Sequence, residues 1–289
     1  MSLENYTRAG QIASLVRENT RKRNHIGRTL EEICNSIEKE IIDNGGHPAF
    51  PVNVSINEIA AHYTAEPDDQ IVIKDTDVVK IDLGVHINGY VADTAVTISY
   101  DPKYDQLIKI AELSLSEAIK IAKHNTKSSE IGKTIENTIS HNGLKPIQNL
   151  SGHSLEQYII HAGKSIPNIK TYGSSFSLSS NQAYAIEPFV TTNDGLGIVY
   201  EGKIRNIFSL ISRKPTKDKE ADEFILYLWN KFKTLPFALR WLINNFDEPK
   251  ARSMIDFLIK KKNVRGYPIL VEGNNKVVSQ AEHTIFISD

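Results

Sequence analysis

The chain has 289 residues, 40% of them apolar and 24% charged, more than a usual single domain, so one large domain or a domain carrying an insertion is expected. Its 34 Lys and Arg stand against 35 Asp and Glu, a net charge of −1, which excludes a disordered or collagen-like chain and a global field that draws in nucleic acid or anionic membrane. The one cysteine, Cys34, permits no internal disulfide and no thiolate-rich zinc site, and it fits a reducing, cytoplasmic compartment.

The first third opens helical. Leu30, Ile33, Ile37 and Ile41 recur at helical spacing behind Thr29, Glu32 completes a capping box, and Gly45-Gly46 ends the helix. Cys34 falls on the apolar face of that helix, where it reads as inert core. Two β-branched runs come next, VVKIDLGVHI and GYVADTAVTISY, joined through Asn88-Gly89, the strongest short hairpin signal. Asp101-Pro102 then starts a second helix through Leu107, Ile110, Ala111, Ala118, Ile119 and Ala122, and a third is expected from about Ser129 to His141, stopped at Gly143. Residues 204–266 read as a helical insertion. Three consecutive amphipathic or apolar patterns, KDKEADEFILYLWNKF, LPFALRWLINNF and ARSMIDFLIKKK, lie there with no strand expected between them. The chain returns to strand with YPILVEG and KVVSQAEHTIFIS. No apolar signal core opens it, and no apolar run reaches the length of about 18 residues that suggests a membrane span.

With Asn88-Gly89 as a two-residue loop, Asp93 faces Gly84, two residues from Asp82. Side chains alternate faces along a strand, so Asp82 and Asp93 share one face as diagonal neighbours, their β-carbons about 7 to 8 Å apart or less. Two carboxylates among Ile81, Leu83, Ala92 and Ala95 resist burial unless a cation neutralises them. From these two alone, a solvated edge aspartate and a turn cap explain the pattern equally well. Glu187 in NQAYAIEPFV and Glu282 in VVSQAEHTIFI also interrupt apolar strand-like runs, and His153 follows Gly152 in LSGHSLEQYIIHAG. Four strand carboxylates and one imidazole carry a formal charge too negative for one divalent ion and balanced by two, which points to a dinuclear centre.

KIDLGVHINGYVADTAVTI, SGHSLEQYIIHAG, AYAIEPF and AEHTIFI, in this order, resemble the metal-binding motifs of the methionine aminopeptidases, and AFPVNVSINEIAAHYT resembles the segment with their substrate-contacting histidine. The resemblance implies an α+β pita-bread fold, a curved and mostly antiparallel sheet flanked by helices. The insertion, with Tyr267-Pro268 after it, is similar to that of the type II branch in its archaeal form. By this resemblance Asp82 is a ligand to one metal, Asp93 and Glu282 bridge both, and His153 and Glu187 complete the second. It implies two divalent ions, cobalt, manganese, iron or zinc. It also implies that His62 and His161 contact substrate, that Glu187 shuttles a proton, and that Phe50, Ile160 and Tyr267 line a methionine pocket. The expected substrate is the N-terminal methionine of a nascent polypeptide whose second residue is small. A prolidase-like dipeptidase and an inactive protein- or RNA-binding module on the same fold are the alternatives. A monomer without DNA or membrane partners is expected. The basic runs Arg21-Lys22-Arg23 and Lys260-Lys261-Lys262, which suit helix ends, leave room for a transient ribosome contact. Two departures stand out, Val52-Asn53-Val54-Ser55 where many relatives have Gly-Cys, and Ala281 where phenylalanine is common. Neither is expected to touch a ligand.

Overall fold

The structure, a computed structural model, describes residues 2–173 and 175–288. Its helices are α1 (Ser2–Lys22), α2 (Leu30–Asp43), α3 (Asp105–Ile121), α4 (Ser128–His141), α5 (Lys219–Phe232) and α6 (Glu248–Lys260). None is long and apolar enough to cross a membrane. The Thr29 capping box closes as the sequence implies: Thr29 Oγ1 accepts from the Glu32 amide at 3.1 Å, and Glu32 Oε2 accepts from the Thr29 amide at 3.0 Å. Asp101 caps a short 3₁₀ turn, Pro102–Tyr104, that leads into α3.

The largest sheet has the order His47–Pro48, Val78–Ile87, Tyr90–Ser99, Glu282–Ile287, Gln182–Ile186, Ser151–Leu155, Ser165–Pro167, with Asn53–Ile56 also paired to Val78–Ile87. Every pairing within it is antiparallel. The hairpin register is the expected one, with Gly84 opposite Asp93 and Asp82 opposite Ala95. Alternation divides the sheet into two faces. On the outer face Val79, Ile81, Leu83 and Val85 pack with Ile12 and Val16 of α1 and Ile33 and Ile37 of α2. Further along, Tyr184, Ile186, Ile285 and Ile287 pack with Leu107 and Ile110 of α3 and Ile131 and Ile135 of α4. With helices on the outer face only, the residues between these positions face a cavity.

A second sheet, in the order Phe237–Ala238, Val199–Leu210, Val264–Glu272, Ile59–Ala61, borders the cavity from the other side. It corrects the reading of the insertion. Residues 204–210 and 264–266 are strand, and the middle pattern, LPFALRWLINNF, is a short strand, Phe237–Ala238, followed by a 3₁₀ turn, Leu239–Trp241. Only α5 and α6 are α-helical there. The cause is complete burial: residues 235–240 are all buried, so no solvent face sustains a helical period, and the stretch finds an edge in Val199–Leu210 to pair with.

That segment is anchored by Arg240. Its guanidinium meets the buried Glu38 carboxylate of α2 in two hydrogen bonds, Nη1 to Oε2 at 2.6 Å and Nη2 to Oε1 at 2.5 Å. Glu38 also accepts from the Val52 amide at 3.0 Å and from Trp241 Nε1 at 2.7 Å. Removing one member of such a buried pair leaves the other charge unpaired, at a cost of about 3–5 kcal/mol. Glu38→Ala should therefore lower the free energy of unfolding in urea by that amount. A loss below about 1 kcal/mol, the range of an exposed pair, would show that the bridge does not anchor the segment.

Candidate metal centre

Five consecutive strands of the large sheet deliver the candidate ligands. Asp82, Ala95 and Glu282 form one row across three strands. Asp93 stands two residues from Ala95, and His153 pairs with Ala185 on the far side. Glu187 follows directly on Gln182–Ile186, where Pro188 ends the strand. The structure brings all five into one cavity, together with His62, His161, Phe50, Ile160 and Tyr267. Ligand atoms of Asp93, His153 and Glu282 lie within 4.8 Å of one another, and His153 Nε2 is 3.7 Å from Asp93 Oδ2 and 3.6 Å from Glu187 Oε1.

These groups are crowded and dry. Burial raises the Asp82 carboxyl to about 7. Asp93, Glu187 and Glu282 are driven well above the ordinary carboxylate range, first by burial and then by the charge of neighbouring carboxylates, Asp82 acting on all three. Burial pushes the His153 imidazole down to about 3, so it offers a neutral nitrogen. Among the described residues that line the cavity, none is Lys or Arg. Asp82 Oδ1, Asp93 Oδ1 and His153 Nδ1 are buried without a hydrogen-bond partner. Buried unpaired acceptors and carboxylates that cannot all ionise together are the signature of a site built for a cation, and oxygen donors with one imidazole suit a divalent ion.

The histidines differ from the ligands in setting. His62 has a left-handed backbone, φ 67°, which costs about 1 kcal/mol or more for a residue with a β-carbon. Its Nδ1 lies 3.2 Å from the Pro268 carbonyl. His161 packs edge-on to His153 with ring centroids 4.5 Å apart, and the residue keeps an exposed surface. Both imidazoles are held below their usual range by burial. Tyr267 stands edge-on to His62 at 5.8 Å and pairs across the second sheet with Ile207, which also lines the cavity.

One expectation fails here. Asn53 does touch a candidate ligand, its Nδ2 lying 3.4 Å from Asp82 Oδ2, because the Asn53–Ile56 strand sets it directly opposite Asp82. Sequence reasoning also passed over Gln280, whose Nε2 donates to Glu282 Oε2 at 3.1 Å, and Thr284, whose Oγ1 accepts from the Asp93 amide at 2.7 Å. Both stand two residues from Glu282, Thr284 on the same face of its strand and Gln280 at the end of the preceding strand, Val278–Gln280, and that spacing is the signal that could have found them. Gly84 matters through absence: a β-carbon there would collide with the Phe50 ring, so the glycine makes room for a wall of the cavity.

Curled antiparallel strands, flanking helices and a buried acid–imidazole cluster define the pita-bread metallopeptidases. Residues 4–205 match the model of metallopeptidase family M24, and the chain belongs to that family. It is 42% identical over 287 residues to a methionine aminopeptidase of Pyrococcus horikoshii, covering 99% of this chain and 97% of that one. It is 41% identical over 292 residues to the methionine aminopeptidase of Methanocaldococcus jannaschii, covering 100% and 97%. Among solved structures, a thermophilic Arx1 superposes with a TM-score of 0.82 at 19% identity over 99% of this chain and 88% of that chain. The methionine aminopeptidase of Thermotoga maritima gives 0.70 at 21% over 99% and 93%. Membership in this family implies a divalent metal, and the acid–imidazole cluster fits one.

Raised carboxyl pKa values have a measurable consequence. Near pH 7 the metal-free centre holds protons that a divalent ion must displace. Calorimetric titration of chelated protein with Mn(II), in two buffers of different ionisation enthalpy, should show net proton release of about one or more per chain. Binding with no proton exchange would mean that the carboxylates are already ionised in the metal-free protein.

Proposed function

We propose that the chain removes the N-terminal methionine from polypeptides whose second residue is small, as a dinuclear metalloaminopeptidase of the cytoplasm. The observation that carries this reading is the concentration of four carboxylates and one imidazole in a single cavity walled by Phe50, Ile160 and Tyr267. The relatives' names, at about 40% identity over nearly the whole chain, support it. They favour it over a prolidase-like dipeptidase, and the retention of coordinating side chains at all five positions favours it over an inactive binding module.

In this reading Asp82 would hold one ion, His153 and Glu187 would hold a second, and Asp93 and Glu282 would serve both; manganese, iron, cobalt and zinc all suit the donor set. Two divalent ions so held would supply an activated water and charge stabilisation at the scissile carbonyl. The remaining work falls to the chain. Glu187, raised in pKa and beside His153, accepts the water's proton and returns it to the leaving amine. His62 and His161, neutral and projecting over the cluster, orient the scissile amide. Phe50, Ile160 and Tyr267 hold the thioether, while the two imidazoles leave little volume for the second side chain. We read residues 204–266 as the type II insertion within a single metallopeptidase domain that acts as a monomer. Lys260-Lys261-Lys262, exposed where α6 ends, is the better place for a transient ribosome contact, because Arg21 and Arg23 are already paired with Glu112 and Glu40.

Chelated protein should lose turnover of Met-Ala-Ser and regain it on addition of a divalent ion. In a Met-X-Ser series, X = Ala, Gly, Ser, Thr, Pro, Val or Cys should be cleaved, and larger X should fail by about 10²-fold through misplacement of the carbonyl. Equal efficiency for X = Ala and X = Lys would refute the small-residue rule. Replacing His62 with Ala should keep the metal content and lower turnover by about 10² to 10⁴, the range for a lost proton-transfer or positioning group. Loss of metal in that variant would make His62 a ligand or a support.

A further inference from the structure

The strands that carry Asp93 and Glu282 meet along the shortest seam near the centre. Only Glu282 with Ala95 and His283 with Thr94 are paired there. The hairpin on one side has ten pairs and the strand on the other side five. So short a ladder is a weak place to hold two carboxylates at a set separation. Side chains reinforce it. On the cavity face Thr284 Oγ1 accepts from the Asp93 amide at 2.7 Å and donates to the Asp93 carbonyl at 3.0 Å. Thr97 Oγ1 likewise joins the Gln280 amide and carbonyl, at 2.8 and 2.7 Å. On the outer face Thr94 Oγ1 donates to the Glu282 carbonyl at 2.8 Å.

One cation ties the outer face together. Arg17 of α1 places Nη1 2.8 Å from Thr94 Oγ1 on one strand and 3.0 Å from His283 Nδ1 on the other. Glu18 steadies the same guanidinium, with Nε to Oε1 at 2.9 Å. Around it the seam is bare: a cleft of about 420 Å³ between α1 and α3, lined by Arg17, Ala95, Leu115, Ile119, Glu282 and His283 among others, opens onto it from outside. Among the described helix side chains, Arg17 is the one seen to bond both strands from this face.

We propose that Arg17 is a positioning residue that clamps this seam, and so fixes the separation of the Asp93 and Glu282 carboxylates that lets the centre hold two ions at once. Thr94 is its relay, since the hydroxyl that accepts from Arg17 donates in turn to the Glu282 carbonyl. The inference rests on the dinuclear reading. Without the clamp, the strands keep their own helices and outer pairings but gain freedom to slide at the seam. A carboxylate that must serve two ions is more sensitive to such motion than one that serves a single ion.

The test is Mn(II) calorimetry on the full chain, with amide hydrogen exchange of the metal-free protein. Wild type should bind two equivalents. Arg17→Met should weaken the weaker binding event by about 10- to 100-fold, the range for lost support around a metal ligand, and should speed exchange at residues 282–284 while the amides of the 78–99 hairpin stay protected. Arg17→Lys, which can still reach one strand, should restore part of the affinity. Arg21→Met, one turn along α1 and bonded to Glu18 and Glu112, should change neither readout. Two wild-type binding events in Arg17→Met, or an equal loss in Arg21→Met, would overturn the clamp. If Arg17→Met fails to fold, Thr94→Val carries the test and must show the same selective weakening, or the clamp falls. Fewer than two equivalents in wild type would overturn the dinuclear reading itself, and the clamp with it, before any substitution is made.

Discussion

Concentrated negative charge in a place that water barely reaches is the constraint on which the molecule is built. Asp82, Asp93, Glu187 and Glu282 lie in one cavity with a neutral imidazole and, among the described lining residues, no cationic side chain. Each carboxyl is pushed up by burial before any neighbour acts. A folded chain tolerates this only where other interactions outweigh the strain, and where a bound cation turns repulsion into coordination. The outer face supplies the compensation. Two apolar clusters, one with α1 and α2 and one with α3 and α4, cover the back of the strands that carry the acids. The strands are thus held by hydrophobic burial on one side while bearing charge on the other.

Close approach then becomes a requirement at particular backbone positions. Gly84 sits opposite Asp93 because the Phe50 ring occupies the space a side chain would need. Gly152, next to His153, lets the Ala185 carbonyl into the space where a β-carbon would stand. These glycines are not turns. They are gaps in the strands through which a pocket wall and a neighbouring strand come near enough to set the spacing of the candidate ligands.

How much of this was legible in the sequence depends on range. The hairpin followed from Asn88-Gly89 and parity alone, and the register of Asp82 and Asp93 with it. The α2 cap followed from four residues. Elements governed by local chemistry and a solvent-facing side were readable because their period survives in the string of letters. LPFALRWLINNF was not, because its first half, residues 235–240, is buried all round and its conformation is decided by the Val199–Leu210 edge and by Glu38, which lies 202 positions from Arg240. The carboxylates were visible as charges that interrupt apolar strands. Their supports were less so: Asn53 is an ordinary strand residue until pairing places it beside Asp82, and Gln280 and Thr284 carry no mark beyond standing two residues from Glu282. The family resemblance added the order of the motifs, and with it the assembly of distant segments that periodicity cannot reach.

The two sides of the cavity are built from different material, and this separates chemistry from selection. The large sheet provides the acids and His153 from hydrogen-bonded strands whose register leaves little freedom. The opposite side comes from the second sheet and its approaches: His62 just after Ile59–Ala61, Ile207 and Tyr267 as cross-strand partners, and Pro236 just before Phe237–Ala238. This side is largely apolar and is fixed to the body through Arg240 and Glu38. A substitution at Ile207, Pro236 or Tyr267 alters the shape presented to a bound side chain and leaves every acid–acid distance set by the large sheet in place. Changes in the large sheet act on the cluster first. In the proposed aminopeptidase, selectivity for the departing residue is therefore free to drift through the second sheet without disturbing the centre that cuts.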